Sequence, residues 1–220
     1  MNQGASTKMR EEGSNSLRAT TLSCVRGDKL LFRDLNLALT PGQAGLITGP
    51  NGAGKSSLLR LIAGLLDPFS GSVHVPASIA LCDERMALDE NQPLASALNF
   101  WARLDGKNAQ DVSRAIAAMD MGHLAEVPVR YFSTGQRQRA RLARTFLTGA
   151  KLWLLDEPAN GLDRASVEQL GRVMQAHLDD GGMILAASHI ALPITFDSIL
   201  QLAGQSSQRL LDPKQQEAIR

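Results

Sequence analysis

The sequence predicts an α/β domain: a mostly parallel core sheet covered by helices, with a short antiparallel β region and a helical subdomain. Three observations predict it. Short apolar strands alternate with helical stretches along most of the chain, the pattern of parallel strands joined by crossovers. One strand, Ala44 to Thr48, runs straight into a glycine-rich loop that opens a helix. A mostly helical insert, at about 86–147, then interrupts the alternation.

The elements follow in order. Leu17 to Val25 and Asn36 to Leu39 read as short strands, with Arg26-Gly27-Asp28-Lys29 as a turn between them. Ser56 to Leu65 has helical spacing, with Leu58, Leu59, Leu61 and Ile62 on an apolar face. Gly71 to Leu81 gives two brief strands around Pro76, and Leu94 to Met121 is mostly helical. Gln136 to Leu147 is a basic helix, and Leu152 to Leu155 is a strand of the buried type. A helix from Arg164 to Leu178, an apolar strand from Met183 to Ala187 and a last strand from Ser198 to Leu202 complete the pattern. The expected organisation is a disordered N-terminal arm (1–16), one domain (17–205) and a C-terminal tail (206–220).

Composition narrows the function classes. The 220 residues suffice for one well-packed domain. The formal net charge of +1 gives no extended phosphate-neutralising surface, which argues against a nucleic-acid partner. Cys24 and Cys82 form neither a C-x-x-C pair nor a metal-type cluster, and read as reduced thiols of a cytosolic protein. The first sixteen residues lack the apolar centre of a secretory signal. No run approaches the roughly eighteen apolar residues that span a bilayer. Any membrane role is therefore expected to come through another protein.

The chemistry starts at Gly49-Pro50-Asn51-Gly52-Ala53-Gly54-Lys55-Ser56, a complete G-x-x-x-x-G-K-[ST] phosphate loop between a strand and a helix. Its glycines let backbone N–H groups converge on phosphate oxygens at a helix N-terminus. Lys55 would neutralise the β- and γ-phosphates, and the Ser56 hydroxyl would join a Mg²⁺ shell. Ser57 adjoins them as a further nucleotide-binding candidate. Leu152-Trp153-Leu154-Leu155-Asp156-Glu157 ends an apolar strand on two acids. Asp156 suits a Mg²⁺ ligand and Glu157 the residue that orients or deprotonates the attacking water. His189, after the next strand, is placed to sense the γ-phosphate, whereas His74, His123 and His177 read as structural. Ser133 and Gln136 form an S-x-x-Q capping box at the start of the basic helix. With the Gly135 amide, that positive helix end makes a second anion site, one more than a single nucleotide needs.

From about residue 17 to 203 the chain resembles the ABC transporter ATPases. The phosphate loop, Phe132-Ser133-Thr134-Gly135-Gln136-Arg137-Gln138-Arg139, Asp156-Glu157-Pro158, Asn160-Gly161-Leu162-Asp163 and Ser188-His189 come in that family's order. The resemblance implies a P-loop NTPase fold, ATP and Mg²⁺ as cofactors, and two ATP molecules sandwiched in a head-to-tail dimer. In that dimer the Ser133–Gln136 segment of one copy caps the nucleotide of the other. Leu98-Asn99-Phe100-Trp101, Val127 to Ser133 and Leu152 to Pro158 are similar to the haem exporter branch of cytochrome c biogenesis. That implies a peripheral ATPase on the cytoplasmic face of a bacterial inner membrane, docked on permease subunits of a Ccm-type complex. The region from Asp83 to Trp101 is the expected docking groove, with Phe100 and Trp101 exposed. An ABC subunit for another cargo, or a P-loop small-molecule kinase, remains an alternative.

Three positions depart from the family pattern. Thr134 replaces the usual glycine or alanine. The coupling-loop glutamine is absent from Leu81-Cys82-Asp83-Glu84-Arg85, leaving Asp83 or Glu84 as its substitute. The adenine-stacking aromatic is absent near Val25-Arg26-Gly27, leaving the Arg26 guanidinium to stack on the base.

Overall fold

A computed structural model describes residues 15–203. The expected arm, but for Asn15 and Ser16, and the expected tail lie outside the described residues. Strands β1 (Leu17–Arg26) and β2 (Lys29–Leu39) form an antiparallel hairpin whose turn is Gly27 and Asp28. The second strand is longer than the expected Asn36 to Leu39. Its inward positions Leu30, Phe32, Leu35, Leu37 and Leu39 are all buried. The alternation slips once, at Arg33 and Asp34, where Asp34 takes φ 52°. That irregularity and the charges at Lys29, Arg33 and Asp34 hide the period-two pattern from sequence.

The main sheet is built from β3 (Ala44–Thr48), β5 (Ile79–Cys82), β6 (Leu152–Asp156), β7 (Met183–Ala187) and β8 (Ser198–Gln201). Its order is β5-β6-β7-β3-β8, and every pairing is parallel. The other strand, β4 (Ser70–His74), joins β1 in a three-stranded antiparallel sheet. Parallel and antiparallel regions therefore occur as expected.

Among the described residues, five α-helices complete the fold: α1 (Lys55–Ile62), α2 (Leu94–Leu104), α3 (Ala109–Ala118), α4 (Thr134–Leu147) and α5 (Arg164–Asp179). The stretch read as helical from Leu94 to Met121 is two helices. The break has a local cause: the Asn108 side chain accepts from the backbone N–H of Gln110 (2.8 Å) and Asp111 (3.2 Å). Asp111 returns the bond to the Asn108 N–H at 2.9 Å, completing a capping box that starts α3 afresh.

The core lies on both faces of the main sheet. Leu152, Leu154, Met183, Leu185 and Ala187 face α1 and the antiparallel sheet. Trp153, Leu155, Ile184 and Ala186 alternate to the other face and pack with apolar residues of α2, α3, α4 and α5. Each fully buried leucine contributes on the order of 1.5–3 kcal/mol. Both cysteines are buried and free, and burial pushes the Cys82 thiol up to about 11, as inert thiols require.

On the helical face, His177 stacks on Trp153 with ring centroids 3.7 Å apart, and Trp153 stacks in turn on Phe146 at 4.7 Å. Burial lowers the His177 pKa to about 4. An unfolded histidine titrates near pH 6.5, so between about pH 6.5 and 4 the unfolded chain binds the extra proton. The stability contributed by neutral His177 is thus whole above pH 6.5 and falls away towards pH 4. Urea-unfolding midpoints should decline across that window, and His177→Phe should flatten the decline.

Candidate functional site

Strand β3 delivers the chain into the 49–54 loop, and two glycines there meet demands no other residue satisfies. A Cβ on Gly49, at φ 141°, would stand 2.3 Å from the Leu202 carbonyl oxygen. Gly54, at φ 103°, caps α1 without any side-chain hydrogen bond, leaving the first-turn N–H groups facing outward for an anion. The Lys55 ammonium donates to the carbonyl oxygens of Gly49 (2.9 Å) and Pro50 (3.4 Å), folding over the loop while its residue stays buried.

Acidic groups approach from β6, which is separated from β3 by β7. Asp156 ends β6, and its carboxyl is raised from the ordinary carboxylate range, first by burial. A hydrogen bond with the Ser56 hydroxyl opposes that shift, and the charges of Glu157 and Asp83 add to it. One residue on, Glu157 takes φ 49° and donates its N–H to the Ala187 carbonyl oxygen at 2.8 Å. This holds an unfavourable backbone conformation at the end of β7. His189 then closes on it: Nδ1 lies 2.7 Å from Glu157 Oε2, and the His189 backbone N–H donates to the same oxygen at 3.3 Å.

The loop, Lys55, Ser56 and the two acids share a cavity of about 420 Å³, whereas His189 reaches it only through Glu157 and does not line it. Its walls are Asn51, Gly52, Gly54 and the start of α1 through Ser57 on one side, Asp156 and Glu157 on another, and Arg26 with Leu31 from the hairpin. Gly49, Pro50 and Ala53 shape the loop without lining the cavity. Leu31 was not foreseen in the sequence: it alternates away from the buried positions Leu30 and Phe32, and only the fold of the hairpin brings it to the cavity. Ser56 and Asp156 offer hard oxygen donors, which suits Mg²⁺ held by few protein ligands. Among the described residues, no group of three or more His, Cys, Asp or Glu side chains competes for a metal.

The α4 end is built separately. Both halves of its capping box form: the Ser133 N–H donates to Gln136 Oε1 at 2.9 Å, and the Gln136 N–H donates to Ser133 Oγ at 3.3 Å. A Cβ on Gly135 would meet the Gly161 carbonyl oxygen at 2.8 Å, so the helix end and the loop after β6 touch backbone to backbone. Buried Gln138 reinforces the contact, donating to the Pro158 carbonyl oxygen at 2.9 Å. The Thr134 methyl turns toward Gly161, 3.4 Å from the position of a Cβ there. Ser133 and Thr134 are exposed, and no α4 residue lines the cavity.

After β5, Asp83 points inward and pairs with Arg60 of α1 at 3.2 Å, while Glu84, its side chain 86% exposed, lies 3.8 Å from the same Arg60 nitrogen. Beyond it runs a second cavity of about 370 Å³, walled by Ala87, Asp89, Gln92 and the α2 residues Ser96, Phe100 and Trp101. Phe100 is exposed as expected. Trp101 is only partly so, because its indole N–H donates to the Ala87 carbonyl oxygen at 2.9 Å and Arg144 lies over its ring.

A phosphate loop, a capped α4 end and an Asp156–Glu157–His189 strand-end cluster on this sheet define an ATP-binding cassette domain. Residues 32–160 match the family model described as ABC transporter. Residues across 79% of the chain are 51% identical to "Cytochrome c biogenesis ATP-binding export protein CcmA" of Sphingopyxis alaskensis, covering 89% of that protein. The protein of the same name from Zymomonas mobilis is 46% identical over 91% of the chain and 93% of its own length. A solved "ATP binding subunit of ABC transporter" shares the fold, with TM-score 0.77 and 24% identity over 93% of the chain and 94% of its own. The chain belongs to the ABC transporter family as an ABC-type ATPase, most like its CcmA members.

Gly135→Ala should push the α4 end off the 158–163 loop. Expected is an ATPase loss of about tenfold or more with the fold retained, since a misplaced binding group costs catalysis first. Circular dichroism and turnover measured together check it.

Proposed function

We propose that the chain is the ATP-hydrolysing subunit of a cytochrome c biogenesis export system, working as a pair of copies beneath membrane-embedded partners. The observation that carries the paired arrangement is the separation of two anion-binding helix ends. The α1 end opens into the nucleotide cavity, while the exposed, capped α4 end lies outside it. A second copy, turned head to tail, brings Ser133, Gly135 and Gln136 to the first copy's γ-phosphate and leaves neither end idle.

Each residue then has a role. The amides of Asn51 to Ser56 cradle the phosphates, and Lys55 turns from its carbonyl partners to the β- and γ-phosphate oxygens. Ser57 supports that cradle at the α-phosphate end. Ser56 and Asp156 hold Mg²⁺, which when bound neutralises charge on the transferred phosphoryl oxygens. Glu157, fixed by His189 and by its backbone bond to Ala187, aligns the attacking water and takes its proton. His189 donates to the γ-phosphate oxygen and passes its loss to Glu157. Arg26, with Leu31 beneath, offers a flat cation and an apolar surface to the base.

The helical subdomain, about 86–147, carries both the α4 end and the groove at Phe100 and Trp101. Docking the permease there links closure over ATP to movement in the membrane. No helix among the described residues is long and apolar enough to cross a bilayer, which supports a peripheral place on the cytoplasmic face of the inner membrane. The haem-export assignment is carried by the identity to the CcmA proteins.

Glu157→Gln should keep ATP affinity while lowering turnover by about 10²- to 10⁴-fold. With ATP it should elute from size exclusion as a dimer; an unchanged monomer overturns the sandwich. In mixed dimers, Ser133→Ala in one copy should impair the site built on the other copy's Lys55, as read by ATPase assays. Pull-down from membranes, with haem measured on the eluate, tests the cargo.

A further inference from the structure

The ion pair between Arg60 and Asp83 stands beside the chemistry, and Arg60 has no role in the reading above. Its position follows from the sheet. In the parallel register of β5 and β6, Cys82 lies opposite Leu155, so Asp83 follows its strand where Asp156 ends its own. Arg60, on the second turn of α1, reaches across from the phosphate-binding helix: its Nη2 is 3.2 Å from Asp83 Oδ2. The pair is well shielded, with side-chain exposures of 25% for Arg60 and 13% for Asp83.

Asp83 is fixed on every side. Its other carboxylate oxygen accepts from the Arg85 N–H at 3.0 Å, closing the turn after β5. Its carbonyl oxygen accepts from Arg141 of α4 at 3.3 Å. Asp83 thus joins α1, the strand end and α4. Asp83 and Asp156 stand side by side at the ends of adjacent parallel strands, which sets the ion pair next to the divalent site.

We propose that Arg60 and Asp83 form a charge-balanced positioning pair that sets the Mg²⁺ affinity of Asp156 and Ser56. Neither side chain need touch the ion. Without Asp83, Arg60 keeps only the solvent-exposed Glu84 at 3.8 Å and places a largely uncompensated cation beside the divalent site, whereas an unpaired Asp83 places an anion there. In a half-buried setting such charges act over several ångströms with little screening. The pair together is close to neutral and leaves the site to its two oxygen ligands.

The proposal rests on Mg²⁺-nucleotide occupying the cavity, and the test separates the two. The full chain carrying Glu157→Gln is titrated with a fluorescent ATP analogue at stepped free Mg²⁺ and again in EDTA. Asp83→Asn should raise the half-saturating Mg²⁺ about three- to tenfold, and Arg60→Gln should lower it by a similar factor. The double variant Asp83→Asn/Arg60→Gln should return near the parent value. Binding in EDTA should change little in any of them, and Arg60→Lys should behave like the parent because it keeps the charge.

Shifts of the same sign in both single variants, or no shift, overturn the pair's role while the Mg²⁺ site stands. A parent whose nucleotide binding ignores Mg²⁺ overturns the site itself. Unfolding midpoints taken alongside distinguish misfolding, and Asp83→Asn alone keeps the test should Arg60→Gln not fold, since no rise in its half-saturating Mg²⁺ overturns the pair's role.

Discussion

The parallel register of the main sheet is the constraint on which the site depends. Because β5, β6, β7 and β3 all run the same way, their C-terminal ends form one row: Cys82, Asp156, Ala187 and Thr48. The strand-borne groups of the site follow within a few residues of that row. The phosphate loop leaves β3, the two acids leave β6, His189 leaves β7 and Asp83 leaves β5. Reversing any one strand would carry its group to the opposite edge. This is the placement expected of ligands in open α/β sheets, outside the carboxyl ends of the strands.

Concentrating acids at one sheet edge has an electrostatic cost, and the structure offsets it group by group. Asp156 is raised by burial and by its acidic neighbours, while the Ser56 hydroxyl and Arg60 act in the other direction. Glu157 has His189 at 2.7 Å, and Asp83 has Arg60 at 3.2 Å. Each acid therefore has a polar partner, with Arg60 shared between Asp83 and Asp156. The φ of 49° at Glu157 belongs to the same design, since its N–H bond to Ala187 stabilises a conformation the isolated chain would avoid.

Much of this was legible in the sequence because the signals are local. The phosphate loop, the acids at the end of an apolar strand and the Ser133–Gln136 capping box are each contained within eight residues. Sequence failed where the determinant was non-local. The extent of β2 was hidden by a bulge whose meaning lies in its pairing with β1. Leu31 joined the cavity wall only because the hairpin folds over α1. The substitute at the coupling loop stayed open between two adjacent acids, since only tertiary packing turns Asp83 inward to Arg60 and leaves Glu84 in solvent.

Thr134 shows how packing rather than composition settles a variant position. A methyl beside a phosphate site is expected to crowd the ligand. Here the close backbone contact of Gly135 with Gly161 leaves room on that side of the helix end, and the Thr134 methyl lies against Gly161. Gln138, bonded to Pro158, fixes the rotation of α4 that makes this possible. The helix end and the loop that follows the acids are thus held directly against each other. Any displacement of α4 by a partner therefore reaches the Pro158–Asp163 loop directly, and through the Asp83 carbonyl bond of Arg141 it reaches the end of β5 as well.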